Sequence, residues 1–321
     1  MYGEIIIALF LGIFCGIFTG LTPGIHVNLV SLLVLSFSAI LLQYTSPIVL
    51  AVFIISLAIV HTFLDALPSI YLGAPNEGMA LSVLPGHHLL LRGVGHSAVT
   101  YTVIGALACL LLGIILFPLF IWSMNFLAIA VQQIIGYLLI VIVTYMIFRD
   151  SQNKWKNLLA FLLAGCLGLL VLSISSLQQP LFPLLSGLFG LSLLLISLLQ
   201  KSFIPPQNTE QQLTISTKNT LKAVSAGTGV GFIAAFLPGF GSSQAAIMAS
   251  NIVGDIGDEG FLVLVGGINT ANMLISIATI YALDKARNGA IVIINQLVGI
   301  VDFKAMLLFL GAALVAGAIG A

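Results

Sequence analysis

Charge is absent from long runs of this chain. Residues 5–64, 93–148, 157–200 and 223–254 contain no Asp, Glu, Lys or Arg. A helix crossing the hydrocarbon core of a bilayer takes about 20 apolar residues, so these runs hold several spans each. Reading apolar runs against polar and Pro/Gly interruptions predicts helices near 5–22, 26–43, 48–64, 97–116, 120–147, 158–177, 181–200, 221–237, 241–254, 260–283, 288–301 and 303–320. Residues 66–92 do not fit one straight span. Pro68, Gly73, Pro75, Gly78, Pro85 and Gly86 interrupt them, and Asp65, Glu77, His87, His88 and Arg92 lie in or beside them. A re-entrant hairpin or a pair of half-helices is expected there. The fold class is an all-α polytopic membrane protein of about 10–12 transmembrane or re-entrant helices.

Two interruptions resemble one another. The first is Gly12-x3-Gly16-x3-Gly20-Leu21-Thr22-Pro23-Gly24-Ile25-His26-Val27-Asn28. The second begins at Gly227, Gly229 and Gly231 and continues Phe236-Leu237-Pro238-Gly239-Phe240-Gly241-Ser242-Ser243-Gln244. With the Pro-Gly pairs superposed, Gly12 falls on Gly227 and Gly16 on Gly231. A helix broken at membrane depth exposes backbone groups that lipid cannot satisfy, and such breaks persist where they line a cavity. Two in corresponding positions point to internal repeats. The expected division is 1–148, including the hairpin at about 66–92, then a basic loop at 149–157, then 158–321 with a polar linker at about 201–219. That linker, following Pro205-Pro206, reads as mobile. Arg149, Lys154 and Lys156 in one loop and Lys201, Lys218 and Lys222 in another place both loops in the cytoplasm. If the hairpin re-enters from that side, the two repeats are inverted, with discontinuous helices at the Pro-Gly breaks.

Composition narrows the class without altering it. Apolar residues make up 60% of the 321 and charged residues 6%, against roughly 25% charged in soluble domains. The chain is expected in the cell membrane, with the lipid bilayer as its surroundings. Zero net charge argues against a nucleic-acid partner. Cys15, Cys109 and Cys166 sit in apolar stretches and read as packing residues. The first 25 residues lack a basic segment and a clear cleavage site, so they read as a retained helix. No metal site is expected, because His87 and His88 are adjacent and no His-Glu-x-x-His motif occurs. No nucleophile-and-base pattern or phosphate-binding loop is found, so no enzyme and no cofactor is expected.

The breaks carry the candidate chemistry. Gly12, Gly16 and Gly20 share a helical face and let another helix approach. Beyond each break a half-helix opens with free amides and a positive dipole end, which suits a carboxylate or phosphate. Thr22, Pro23, Gly24, His26 and Asn28, with Pro238, Gly239, Gly241, Ser242, Ser243 and Gln244, form the candidate substrate-binding set; the alternative is that they cap the half-helices. A second set lies in the third helix of each half. His61 and Asp65 are one turn apart on one face and suit a proton or cation relay, or a hydrogen bond near the interface. Asn269, Thr270 and Asn272 offer oxygens for a sodium ion. These five are the candidate ion-coupling residues, because polar groups inside a span usually face the bundle interior. The polar break Asp284-Lys285-Ala286-Arg287-Asn288-Gly289 reads as a solvated loop or as a second anion-attracting mouth. Trp122 and Trp155 read as interfacial anchors.

The segment Gly16-x3-Gly20-x2-Pro23-Gly24 resembles the opening of the large permease subunit of tripartite tricarboxylate transporters. Ala74-Pro75, Leu84-Pro85-Gly86-His87-His88-Leu89 and Arg92-Gly93-Val94-Gly95-His96-Ser97-Ala98 are similar to that family's hairpin in order and spacing. Pro85-Gly86 stands where the family has Asp-Gly, and the chain is shorter than its large subunit, as in a compact, divergent branch of archaeal type. The resemblance implies the architecture and the place of the site. It also implies a small membrane subunit and an extracytoplasmic binding protein as partners, and a homodimer is a further expectation. The resulting expectation is a secondary active permease for a small organic anion, a carboxylate, coupled to sodium ions or protons. The alternative is a translocase for a lipid carrier of the polyprenyl-phosphate type, for which a laterally open groove and an arginine at the site would speak. A membrane scaffold accounts for the spans but not for the duplicated breaks.

Overall fold

The computed structural model describes residues 2–75, 78–148, 153–174, 195, 204–210, 213–237, 240–286 and 288–321. Among these there are helices and turns and no strand. Among the described residues six helices are long and apolar enough to cross a membrane, and the chain is a polytopic helical membrane protein. It divides into two compact units, 1–125 with 193–321, and 126–192.

In the larger unit, α1 (Tyr2–Leu21) ends at Thr22 and Pro23, and α2 (Val27–Ser36) begins after His26. Gly24 turns the chain between them with φ +87°, a conformation that costs an L side chain and costs glycine little. The span expected over 26–43 is divided at Phe37, where α3 (Ser38–Leu41) begins. Ten residues rise about 15 Å, half the roughly 30 Å hydrocarbon core, so α2 is a half-helix. The next helix, α4 (Pro47–Leu64), starts with proline at its first turn, where no donor is lost. Residues 66–92 are three short pieces: α5 (Ala66–Tyr71), a single 3₁₀ turn (Ala80–Ser82) and α6 (Val83–Leu91). Asn76 and Glu77 lie outside the described residues. Then come α7 (Gly95–Ile115) and α8 (Phe117–Phe148), whose first residues belong to this unit.

The smaller unit contains the rest of α8 and α9 (Lys154–Leu172). No residue of α9 is buried, so its apolar side chains, with Trp155 among them, face outward. Asn157 Nδ2 donates to the Ile147 carbonyl at 3.5 Å. The helix expected at 181–200 lies outside the described residues except for Leu195, as do Arg149 and Lys201.

The larger unit resumes with α10 (Thr217–Phe236), α11 (Ser242–Val253), α12 (Gly257–Leu283), α13 (Gly289–Val298) and α14 (Phe303–Gly320). Pro238 and Gly239 lie outside the described residues. The helix expected at 288–301 is the short α13. It follows a stop at Asp284, which adopts the left-handed conformation with φ 47° and ends α12. The start of α14 is held by Asp302, whose Oδ1 accepts from the Ala305 amide at 2.7 Å.

The core lies along α4 and α12, the most deeply buried spans, which touch each other. Glycines set how closely their neighbours approach. A Cβ on Gly16 of α1 would stand 2.7 Å from the Leu57 carbonyl oxygen and 2.8 Å from Val60 Cβ, and one on Gly12 would meet the Phe53 carbonyl oxygen. Gly227 of α10 faces the Leu264 carbonyl, and a Cβ on Gly231 would stand 2.9 Å from Ala271 Cβ. The α1–α4 and α10–α12 pairs therefore share one packing register. In that register His61 corresponds to Asn272, and His26 to Gly241.

Where it is described, the linker after Pro205-Pro206 hydrogen-bonds to the α6–α7 turn and to Tyr101. The Gln207 side chain accepts from the Gly95 amide at 2.8 Å and donates to the carbonyls of Leu90 at 3.1 Å and Pro205 at 2.7 Å. The Asn208 amide donates to the Gly93 carbonyl at 2.7 Å. The Thr214 amide donates to Tyr101 Oη at 2.9 Å. One amide side chain thus satisfies backbone groups left over at the α6–α7 turn, which a reading of polarity alone misses.

Candidate functional site

A cavity of about 60 Å³ opens where α4 and α12 meet. Its wall is formed by His26 and Val27 at the start of α2, by Ala58, His61, Thr62 and Asp65, by Gly78, by Asn269, Asn272 and Met273 on α12, and by Asn288.

The helical period explains the α4 part of this wall. Ala58, His61, Thr62 and Asp65 recur at three- and four-residue intervals, which places them on one face. His61 and Asp65 are 4% and 3% exposed, and their Nε2 and Oδ2 atoms are 4.0 Å apart. A buried carboxylate must be hydrogen-bonded to be tolerated. Asn269 Nδ2 donates to Asp65 Oδ2 at 2.9 Å. One turn away, Thr62 Oγ1 donates to the Ile59 carbonyl at 2.8 Å, so at the 3.0 Å contact with Thr270 Oγ1 it accepts. His61 Nδ1 lies 3.0 Å from Thr19 Oγ1 of α1.

The half-helix starts meet this cluster. The His26 ring approaches the His61 ring edge-on, with centroids 5.3 Å apart. His26 also caps α2, its Nδ1 accepting from the Asn28 amide at 3.2 Å. In the second half, Asn272 Nδ2 donates to Ser242 Oγ at 3.3 Å, at the start of α11. Gln244 caps that helix, its Oε1 accepting from the Gly241 amide at 3.1 Å. The corresponding residues His61 and Asn272 thus each face the opening of a half-helix.

A third break lies at 284–289, which the sequence leaves as a solvated loop or an anion-attracting mouth. The segment 284–289 is more than a solvated loop. Asn288 is half-buried, caps α13 by accepting from the Ala290 amide at 3.0 Å, and places Nδ2 3.3 Å from Met273 S. Its signal was an asparagine directly before glycine and an apolar run, the pattern of a helix N-cap. Arg287 lies outside the described residues.

Four of the five candidate ion-coupling residues, His61, Asp65, Asn269 and Asn272, line the one cavity. Thr270 touches it through Thr62. From the candidate substrate set, His26 lines the cavity and Ser242 reaches it through Asn272. Thr22, Pro23, Gly24, Asn28, Gly241, Ser243 and Gln244 are not on its wall. Thr22 ends α1, its amide donating to the Phe18 carbonyl at 3.1 Å. Val27, Ala58, Thr62 and Met273 complete the wall without having been singled out, together with Gly78 and Asn288, which the sequence marks only as parts of helix interruptions. Thr62 could have been found from its place beside His61, whereas Ala58, Gly78 and Met273 carry no chemical signal.

Spans broken into half-helices around a buried polar chamber define a membrane transport protein. The model of the tripartite tricarboxylate transporter TctA family matches residues 6–319. The chain belongs to that family, which is one of transporters and not of enzymes. It is similar to the uncharacterized protein MJ1079 of Methanocaldococcus jannaschii, with 29% identity over 290 residues, 88% of this chain and 70% of the relative. No solved structure matches the chain.

Proposed function

We propose that the chain is the membrane permease of a secondary transport system for a small organic anion, a carboxylate, moved together with a cation. One observation carries this reading. The same cavity is bordered by two half-helix starts, at His26–Val27 and Asn288, and by the buried carboxylate of Asp65. Helix starts favour an anion, and Asp65 favours a cation. Neither ligand is comfortable there alone, and bound together each offsets the other's charge.

The size of the cavity supports a moving protein. Its 60 Å³ compares with about 30 Å³ for a water in the liquid and with 300 Å³ or more for pockets that enclose organic ligands. The conformation described admits an ion or a few waters. A carboxylate enters only when the helix starts draw apart. The shared packing of α1–α4 and α10–α12 supplies two similar bodies for such a motion, and we read them as inverted repeats with the basic loops in the cytoplasm. Membership of a tripartite family supports a small membrane subunit and an extracytoplasmic binding protein as partners. The lipid-carrier alternative asked for an arginine at the site, and among the described residues none lines the cavity.

The test is uptake into proteoliposomes. Labelled mono-, di- and tricarboxylates are offered to the purified chain, alone and with co-expressed partner subunits, under imposed sodium and proton gradients. Accumulation of one carboxylate that collapses with the ion gradient is expected. Accumulation of a polyprenyl phosphate across the bilayer, with no carboxylate moved, overturns the proposal.

A further inference from the structure

We infer that the coupling ion is a proton, held between His61 and Asp65 beside His26. This deepens the transport reading and rests on it.

The argument begins with the direction of hydrogen bonds. A threonine hydroxyl has one proton. That of Thr19 goes to the Gly16 carbonyl at 3.2 Å, so its oxygen accepts at the 3.0 Å contact with His61 Nδ1. His61 therefore carries a proton on Nδ1 and turns Nε2 toward Asp65. In a neutral ring Nε2 is then the unprotonated nitrogen, and it stands 4.0 Å from Asp65 Oδ2. Two acceptor atoms facing each other in a buried site favour a proton shared between them. It is held either as an imidazolium beside a carboxylate or as a carboxylic acid beside a neutral imidazole. The Asn269 donor at 2.9 Å on Oδ2 is compatible with both.

The second imidazole limits the load. His26 Nδ1 accepts from the Asn28 amide, so its proton sits on Nε2. Its ring lies 5.3 Å from that of His61, where two imidazolium charges repel. The remaining neighbours of α4 on the cavity wall are neutral: Asn269 and Asn272 from α12, and Asn288 from the start of α13. α1 contributes Thr19 to His61, and α5, α7 and α14 place no titratable side chain on the wall. Among the described residues no lysine or arginine lines it. Sodium sites in broken-helix transporters draw on unwound carbonyls and helix C-terminal ends. Here the wall carries the N-terminal starts of α2 and α13, and beside Asp65, the C-cap of α4, it carries two imidazole rings.

The step balances without a further reagent. Water on one side supplies a proton, and an N–H bond at His61 Nε2 or an O–H bond at Asp65 forms. When the chamber opens to the other side, that bond breaks and the proton returns to water.

Infrared difference spectroscopy on the purified chain in nanodiscs, titrated with pH in sodium or choline chloride, tests this without any solute. The expected result is a protonation signal, a carboxylic-acid carbonyl band or an imidazolium ring band, that is absent in Asp65→Asn and indifferent to sodium. Its midpoint is expected to move by about one pH unit, a tenfold change in proton affinity, in His61→Gln, which keeps the Asp65–Asn269 bond. A band that sodium removes at fixed pH overturns the inference in favour of a sodium site. So does a midpoint that His61→Gln leaves in place. Either failure leaves the carboxylate-uptake result standing, and failed uptake leaves the titration readable.

Discussion

Asn269 donates a hydrogen bond from Nδ2 to Asp65 Oδ2 at 2.9 Å, across 204 residues of chain. It ties α4 to α12 at a buried point of the larger unit. Removing one partner leaves the other desolvated and poorly satisfied, at about 1–3 kcal/mol. Asn269→Ala should therefore lower stability by about 2 kcal/mol. Combined with Asp65→Asn it should cost less than the two single changes added. Thermal unfolding in detergent, arranged as a double-mutant cycle, gives the coupling directly; strict additivity contradicts it.

The glycines of α1 and α10 separate packing from propensity. Gly16→Ala places a Cβ 2.7 Å from a backbone oxygen, where nothing flexible can yield. It should cost about 1–3 kcal/mol and loosen α1 from α4. Gly229, on an open face of α10, has no atom within 4 Å of its would-be Cβ. Gly229→Ala should be neutral or stabilising by up to about 1 kcal/mol. Melting temperatures of the two variants side by side make the comparison, and equal losses refute it.

Gly24 is a different case. Its Cβ would enter open space, and only its φ of +87° opposes a side chain. Gly24→Ala should cost about 1–2 kcal/mol, and Gly24→Asn less, because asparagine tolerates positive φ better. If uptake is lost equally in both, a side chain at this turn obstructs the path, and backbone strain is not the cause.

Gln207→Ala should free the strap from the α6–α7 turn. Three hydrogen bonds converge on that side chain, and a loss of about 1–2 kcal/mol predicts cleavage in 204–214 about 5- to 30-fold faster under limiting protease. Unchanged cleavage shows that Asn208 and Thr214 suffice.

The spans were legible because a bilayer leaves little choice. Residues 97–116 and 303–320 had to be helices, and α7 and α14 occupy them almost to the residue. The half-helix after Pro23-Gly24 was legible for the same reason, since the break strands backbone groups. What escaped was the pairing. His61 with Asp65 follows from the helical repeat, but the meeting of Asp65 with Asn269 depends on how α4 crosses α12, which no local pattern records. The partners of Asn288 and Gln207 escape in the same way. Both are polar residues in polar stretches, and composition cannot tell a side chain in water from one satisfying a helix end.

The correspondence of His61 with Asn272 has one more consequence. An imidazole can change its charge with the acidity of the surroundings, and an amide cannot. If a rocking motion exchanges the surroundings of the two halves, only one of them answers to pH. A solute lodged between them meets a different field at departure from the one it met on arrival.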